Sequence, residues 1–120
     1  MNSLRVAALF ALASVIGVAG SSQAQSQAAI DGVPIEALPH ASYAREILKA
    51  CPMQVHITPD RRSLYDAALK AFDGLKRSRP SDFRRWSEMA KARAVAHSCG
   101  EFEQMMRTPK TSPNMFLLSR

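Results

Sequence analysis

Five side chains, which include both cysteines of the chain, have the chemistry to bind a soft metal ion. They are Cys51, Met53, His56, His97 and Cys99. Two thiolates, two imidazoles and a thioether suit copper(I) or zinc, because soft ligands favour these ions. In an oxidising compartment the two cysteines instead form a disulfide, which removes both thiolates. We expect the disulfide and no bound cofactor, with a copper or zinc site at these five residues as the alternative.

A second group of residues has the chemistry to bind anions. This basic–aromatic cluster consists of Lys76, Arg77, Arg79, Arg84, Arg85 and Trp86. Arginine beside aromatic rings can bind phosphate groups on anionic lipid, glycolipid or polysaccharide. The alternative is a solvated basic loop that only keeps the protein soluble. Nucleic acid is not an expected partner for an exported protein.

Catalytic chemistry finds little support in the sequence. The carboxylates of Asp66, Asp73, Glu101 and Glu103 lie among basic neighbours at ordinary ion-pair spacings. No Ser, His and Asp arrangement can be placed within reach, and a nucleophilic cysteine would have to be unpaired. The chain has neither a C-x-x-C redox motif nor a C-x-x-C-H haem motif. We therefore expect a binding or accessory protein and not an enzyme.

The first 24 residues read as a secretory signal peptide. Arg5 supplies the positive charge, residues 6–20 form an apolar stretch, and Ser22-Gln23-Ala24 is a small-x-small cleavage site. This predicts a periplasmic or secreted protein, and no later stretch is apolar enough to span a membrane. The net charge is +6 over 120 residues. Loss of Arg5 lowers it to +5, so the exported protein remains basic.

The remaining chain divides into three segments. Residues 25–38 are predicted to be a flexible lead-in, residues 39–107 the helical domain, and residues 108–120 a C-terminal tail. The tail contains Met115-Phe116-Leu117-Leu118. These four residues either dock on the bundle as a fourth element or form an exposed apolar patch that binds a client protein.

Three amphipathic helices are predicted in the domain. The first runs from Pro39 to Cys51, the second begins near Thr58-Pro59, and the third runs from Ser81 to about Arg107, weakened at Gly100. Because alternating strand patterns are absent, the predicted fold is an all-α, three-helix, up-down-up bundle. In that arrangement the disulfide joins the ends of the first and third helices.

The predicted architecture resembles a known class of small envelope proteins. A short exported helical chain with cysteines about fifty residues apart, here Cys51 and Cys99, is loosely similar to the acid-stress periplasmic chaperones of the HdeA type. The resemblance covers only the architecture and the two cysteine positions. This chain is basic and has few carboxylates to titrate in acid.

Overall fold

The computed structural model describes residues 29–120, so the predicted signal peptide lies outside the described residues. This part of the chain is mostly helical. Its four helices are α1 (Ala37–Ala50), α2 (Arg62–Ser78), α3 (Pro80–Val95) and α4 (Cys99–Met106). Helices α1, α2 and α3 pack against one another in pairs. Within residues 29–120, no helix combines the length and the hydropathy needed to cross a membrane.

Two small antiparallel sheets correct the prediction of a fold made of helices alone. Strand β1 (Ala29–Ile30) pairs with β2 (Val33–Pro34), and β3 (Val55–Ile57) pairs with β4 (Leu117–Ser119). Strands of two or three residues are too short to show an alternating pattern of apolar and polar residues. The sheets therefore left no periodic signal in the sequence.

The first sheet lies inside the segment that was predicted to be a flexible lead-in. Its turn is Asp31-Gly32, with φ of 53° and 78°. Positive φ at both positions is the geometry of a type I′ turn, for which Asp-Gly is a preferred pair. Val33 and Leu38 are buried in the core. The second half of the segment is thus part of the folded domain.

The core is built from the apolar faces of the helices, from residues that precede α1 and from the C-terminal tail. Helix α1 buries almost a complete face, and α2 contributes a stripe at helical spacing. The largest buried apolar side chains are Leu38, Ile47, Val55, Phe72, Leu75, Phe102, Met106 and Phe116. Phe102 packs edge-on against Tyr43, and Phe116 packs edge-on against Tyr65. The short helix α4 and the tail therefore complete the core that α1 and α2 begin.

The predicted third helix is two helices, and the break precedes Gly100. Helix α3 ends at Val95, and Ser98 caps α4. The Ser98 hydroxyl accepts a hydrogen bond from the Glu101 backbone N–H, and the Glu101 carboxylate accepts one from the Ser98 N–H. This capping box satisfies two N–H groups that a helix start otherwise leaves unpaired. Gly100 lies within the first turn of α4 and does not cause the break.

The C-terminal tail docks on the domain, which was one of its two predicted behaviours. Phe116 and Leu117 are buried, and β4 pairs with β3. The buried Asn114 side chain donates a hydrogen bond to the His40 backbone carbonyl and accepts one from the Phe116 N–H. These bonds tie the tail to α1 and fix the entry into β4.

The predicted disulfide is present. Cys51 and Cys99 are bonded, with their Cα atoms 5.5 Å apart. Cys51 follows the last residue of α1, and Cys99 is the first residue of α4. The bond therefore connects the end of α1 to the start of α4, which is the second half of the predicted third helix.

Candidate anion-binding surface

The basic–aromatic cluster is assembled by a very short connection. A single residue, Arg79, separates the end of α2 from the start of α3. Pro80 occupies the first turn of α3, where its fixed φ suits the helix and its missing N–H is not needed. This connection places Lys76 and Arg77, in the last turn of α2, next to the first turns of α3, which carry Arg84 and Arg85.

Two members of the cluster share one carboxylate. Asp82 forms ion pairs with Arg79 at 2.6 Å and with Arg85 at 2.8 Å. An acidic residue in the first turn of a helix is favourable, because the helix dipole places positive charge there. Asp82 therefore offsets the arginines at the positive end of α3. Surface pairs of this kind contribute only about 0–1 kcal/mol each.

The aromatic residues of this region are held against the core. Phe83 is half-buried, and its ring centroid lies 5.0 Å from that of the buried Phe72. Trp86 is also half-buried, with the Arg85 guanidinium 5.9 Å from its ring centroid. Neither ring extends freely into solvent.

Lys76 and Arg84 lie at a groove between α1 and α3, which we call the α1–α3 groove. Its volume is about 600 Å³. One wall is a face of α1 and the other is a face of α3, because the lining residues of each helix recur at helical spacing. The groove is lined by Ser42, Arg45, Glu46, Lys49, Lys76, Pro80, Phe83, Arg84, Ser87, Glu88 and Lys91. The other members of the basic–aromatic cluster do not line it.

Two cations of the groove are engaged by carboxylates. Arg45 donates hydrogen bonds to both oxygens of Asp73, at 3.0 and 3.1 Å. These bonds raise the pKa of the Arg45 guanidinium above its usual value. The guanidinium also lies 5.8 Å from the ring centroid of Phe72. Lys49 lies 3.6 Å from Glu46, one turn away on α1.

Three other cations of the groove have no such partner in the described part of the chain. Lys76, Arg84 and Lys91 make no ion pair within 4 Å among residues 29–120. All three are exposed at the surface, and the nearby Glu88 is also unpaired within these residues. The groove therefore presents more positive charge than its own carboxylates neutralise.

The five residues of the metal alternative occupy separate environments. The disulfide leaves neither cysteine as a thiolate. Met53 is 76% exposed, His56 is half-buried in β3, and His97 stacks edge-on against Phe102 beside Glu101. Within residues 29–120, no three His, Cys, Asp or Glu side chains form a group that could hold a metal ion.

A smaller pocket of about 240 Å³ lies at the start of α1. It is lined by Glu36, Pro39, His40, Tyr43 and Arg93. The Arg93 guanidinium lies 5.8 Å from the Tyr43 ring centroid. Burial lowers the pKa of His40, the positive charge of Arg93 lowers it further, and Glu36 acts in the opposite direction.

The sequence indicated two of the eleven residues that line the groove and did not indicate the α1 wall. Lys76 and Arg84 stand out because basic residues are dense near the α2–α3 connection. Arg45 and Lys49 lie about thirty positions earlier, on a helix that was noted only for its apolar face. Their one-turn spacing places them on one face of α1. That spacing alone does not show which helix this face borders.

Comparisons of the chain with protein-family models, with characterised proteins and with solved structures gave no significant match. No relative therefore supplies a fold family or an activity for this protein. Its function has to be proposed from the residues described above and their geometry.

Proposed function

We propose that this is a non-enzymatic, exported binding or accessory protein that contacts anionic envelope surfaces through its basic–aromatic cluster. The signal peptide predicted in residues 1–24 and the disulfide support a periplasmic or secreted location, because disulfides persist in oxidising compartments. The ligands that fit are anionic lipid, glycolipid or polysaccharide. Contact with a client protein through exposed apolar surface is the other form of the proposal.

The unpaired positive charge at the α2–α3 connection carries the proposal. Arg77, Lys76 and Arg84 are exposed and make no ion pair within residues 29–120, while Arg79 and Arg85 together have one carboxylate, Asp82. Each basic residue close to an anionic membrane contributes about 1 kcal/mol of binding free energy. Several such residues on the helix turns that flank one short connection are sufficient for measurable binding.

The client-binding form has weaker support from the tail. Phe116 and Leu117 are buried in the core and are not available to a partner. Met115 is 37% exposed and Leu118 is half-buried. The apolar surface that remains at the tail is therefore smaller than its sequence indicated.

The test is co-sedimentation of the mature protein with vesicles at low ionic strength. The wild-type protein should bind vesicles of phosphatidylcholine and phosphatidylglycerol in preference to pure phosphatidylcholine. The double variant Arg84→Glu, Arg85→Glu should lose this binding, because it reverses two charges of the cluster. Helical content and melting temperature should change little, since both side chains are exposed.

A matched control separates local contact from net charge. Arg61 and Arg62 are also adjacent and exposed, but lie at the opposite end of α2, about 25 Å along the helix from Ser78. The variant Arg61→Glu, Arg62→Glu changes the net charge by the same amount and should keep most of the binding. Equal losses in the two double variants would contradict a role for the basic–aromatic cluster.

A further inference from the structure

We infer that the α1–α3 groove is a specific site for one hydroxylated phosphate ester. The two sources of this chemistry are the headgroup of an anionic lipid and a free polyol phosphate. The inference rests on the proposed function and deepens it, because it replaces a diffuse attraction to a charged surface with a bound headgroup. The volume of the α1–α3 groove, about 600 Å³, lies in the range of small-molecule sites, about 300–1,000 Å³.

The unpaired cations of the groove provide the phosphate contacts. Lys76, Arg84 and Lys91 come from two helices and line the same groove. Hydrogen bonds between ionised donors and phosphate oxygens are about twice as strong as neutral ones. A guanidinium also presents two parallel N–H groups, which match two phosphate oxygens. Arg84 is therefore the expected principal contact.

Arg45 adds a cation whose position is already fixed. Asp73 holds it through two hydrogen bonds, and its guanidinium lies beside the ring of Phe72. A guanidinium has five N–H donors, so two bonds to Asp73 leave donors for another acceptor. A side chain that is held before the ligand arrives loses little conformational entropy on binding. This preorganisation distinguishes the groove from a field of mobile surface lysines.

The carboxylates and hydroxyls of the groove favour a ligand with hydroxyl groups over an acidic peptide. Glu46, Glu88 and Ser87 line the groove beside the cations. A carboxylate accepts a hydrogen bond from a ligand hydroxyl and repels a second carboxylate. Phe83 adds an apolar surface for the carbon skeleton of the ligand. A phosphate joined to a polyol satisfies all of these groups at once.

The experiment uses the mature oxidised protein and two matched pairs of neutral variants. Arg84→Gln is compared with Arg77→Gln, and Lys91→Gln with Lys70→Gln. Within each pair the residue type, the exposure and the charge change are the same, and only the first member lines the groove. Calorimetry measures binding of soluble dihexanoyl-phosphatidylglycerol below its micelle concentration, of glycerol phosphate, of inorganic phosphate and of the acidic peptide hexa-aspartate. Phosphatidylglycerol vesicles form a separate arm.

We expect saturable binding of dihexanoyl-phosphatidylglycerol at one site per chain. Arg84→Gln and Lys91→Gln should each weaken it about tenfold, the effect of one lost charge-assisted hydrogen bond. Arg77→Gln and Lys70→Gln should weaken it no more than about twofold, through the screened long-range field. If glycerol phosphate binds as tightly as the lipid, the ligand is a free polyol phosphate. Tighter binding of the lipid identifies a headgroup.

Any of four results would overturn the inference. Equal losses within each pair would show diffuse attraction, and inorganic phosphate or hexa-aspartate binding as tightly as glycerol phosphate would remove the role of the hydroxyl groups. Vesicle binding without any binding of the soluble lipid would reject the groove but leave the proposed function intact. Absence of binding to anionic vesicles as well would reject both.

Discussion

Cys51 and Cys99 provide the strongest single constraint on the unfolded chain. They are separated by 48 positions. In the chain-entropy description of disulfides, a loop of this length stabilises the folded state by about 4 kcal/mol. A domain of this size has a total stability of only about 5–15 kcal/mol. The bond therefore supplies a large share of what keeps the domain folded.

Reduction of the disulfide should lower the free energy of unfolding by about 4 kcal/mol. Urea denaturation of the oxidised protein, of the reduced protein and of a Cys51→Ser, Cys99→Ser variant measures this directly. The reduced protein and the variant should agree, because both lack the same constraint. Two thiols that react with an alkylating agent in freshly isolated, unreduced protein would contradict the bond itself.

The oxidised protein should bind copper or zinc only weakly. Without the thiolates, His56 and His97 leave the coordination shell of either ion incomplete. Dialysis against a mild chelator followed by metal analysis makes the test, with the reduced protein as comparison. Metal retained at one ion per oxidised chain would favour the metal-binding alternative over the proposed function.

His40 should make the stability of the domain depend on pH. Burial and Arg93 lower its pKa below the usual 6.5, against the opposing effect of Glu36. As the pH falls below 6.5 the unfolded chain takes up the proton first, so the free energy of unfolding falls until the folded-state pKa is reached. His40→Gln should flatten this slope. Parallel pH profiles of the variant and the wild type would contradict it.

At the scale of elements, the break between α3 and α4 is the feature that most changes the predicted bundle. Three residues separate the end of α3 from the start of α4, and the capping box at Ser98 begins α4. Beyond this break, α4 places Phe102 and Met106 in the core. Helix α4 begins at the disulfide-bonded Cys99.

Ser98→Ala should destabilise the domain by about 1 kcal/mol, because the Glu101 backbone N–H loses its hydrogen-bond partner. Glu101→Gln is the matched control, since glutamine also serves at this position of a capping box. Thermal unfolding of both variants gives the comparison. A larger loss for Glu101→Gln than for Ser98→Ala would show that the break depends on the charge and not on the cap.

The elements that the sequence predicted are those with a periodic or chemical signal. The start of α1 near Pro39, the apolar stripe of α2 and the cysteine pair are of this kind. The capping box of Ser98 and Glu101 was missed because apolar residues recur at helical spacing before the break and again after it, at Phe102. That spacing predicts one continuous helix. The tail pairing was missed because β3 and β4 are about sixty positions apart. No local pattern encodes such a distant partner.

At the scale of the whole molecule, the basic surface residues of α3 and most of the buried apolar residues lie on different elements. Most of the core comes from α1, α2, α4, β3 and the tail, whereas α3 buries only Ala90 and Ala94 and packs the half-buried Phe83 and Trp86 against it. Helix α3 is therefore largely a carrier of surface charge, with its first turns in the basic–aromatic cluster and one face in the α1–α3 groove. Substitutions of its exposed charged residues can change binding while the core remains intact.

The sequence predicted the basic surface but not the groove within it. Charge density along the chain is readable, and the cluster residues are consecutive or nearly so. The groove depends on how α1 faces α3, and both helices contribute lining residues to it. Helix periodicity shows that a face is buried and does not show its partner.

The most direct test of the central claim is the salt dependence of vesicle binding by the wild-type protein. Binding is measured by co-sedimentation with vesicles that contain phosphatidylglycerol and with vesicles of phosphatidylcholine alone, over increasing sodium chloride. We predict preferential binding to the anionic vesicles at low salt and a steep loss as salt is added, because salt screens exposed charges. Equal binding to both kinds of vesicle, or binding that salt does not change, would contradict the account.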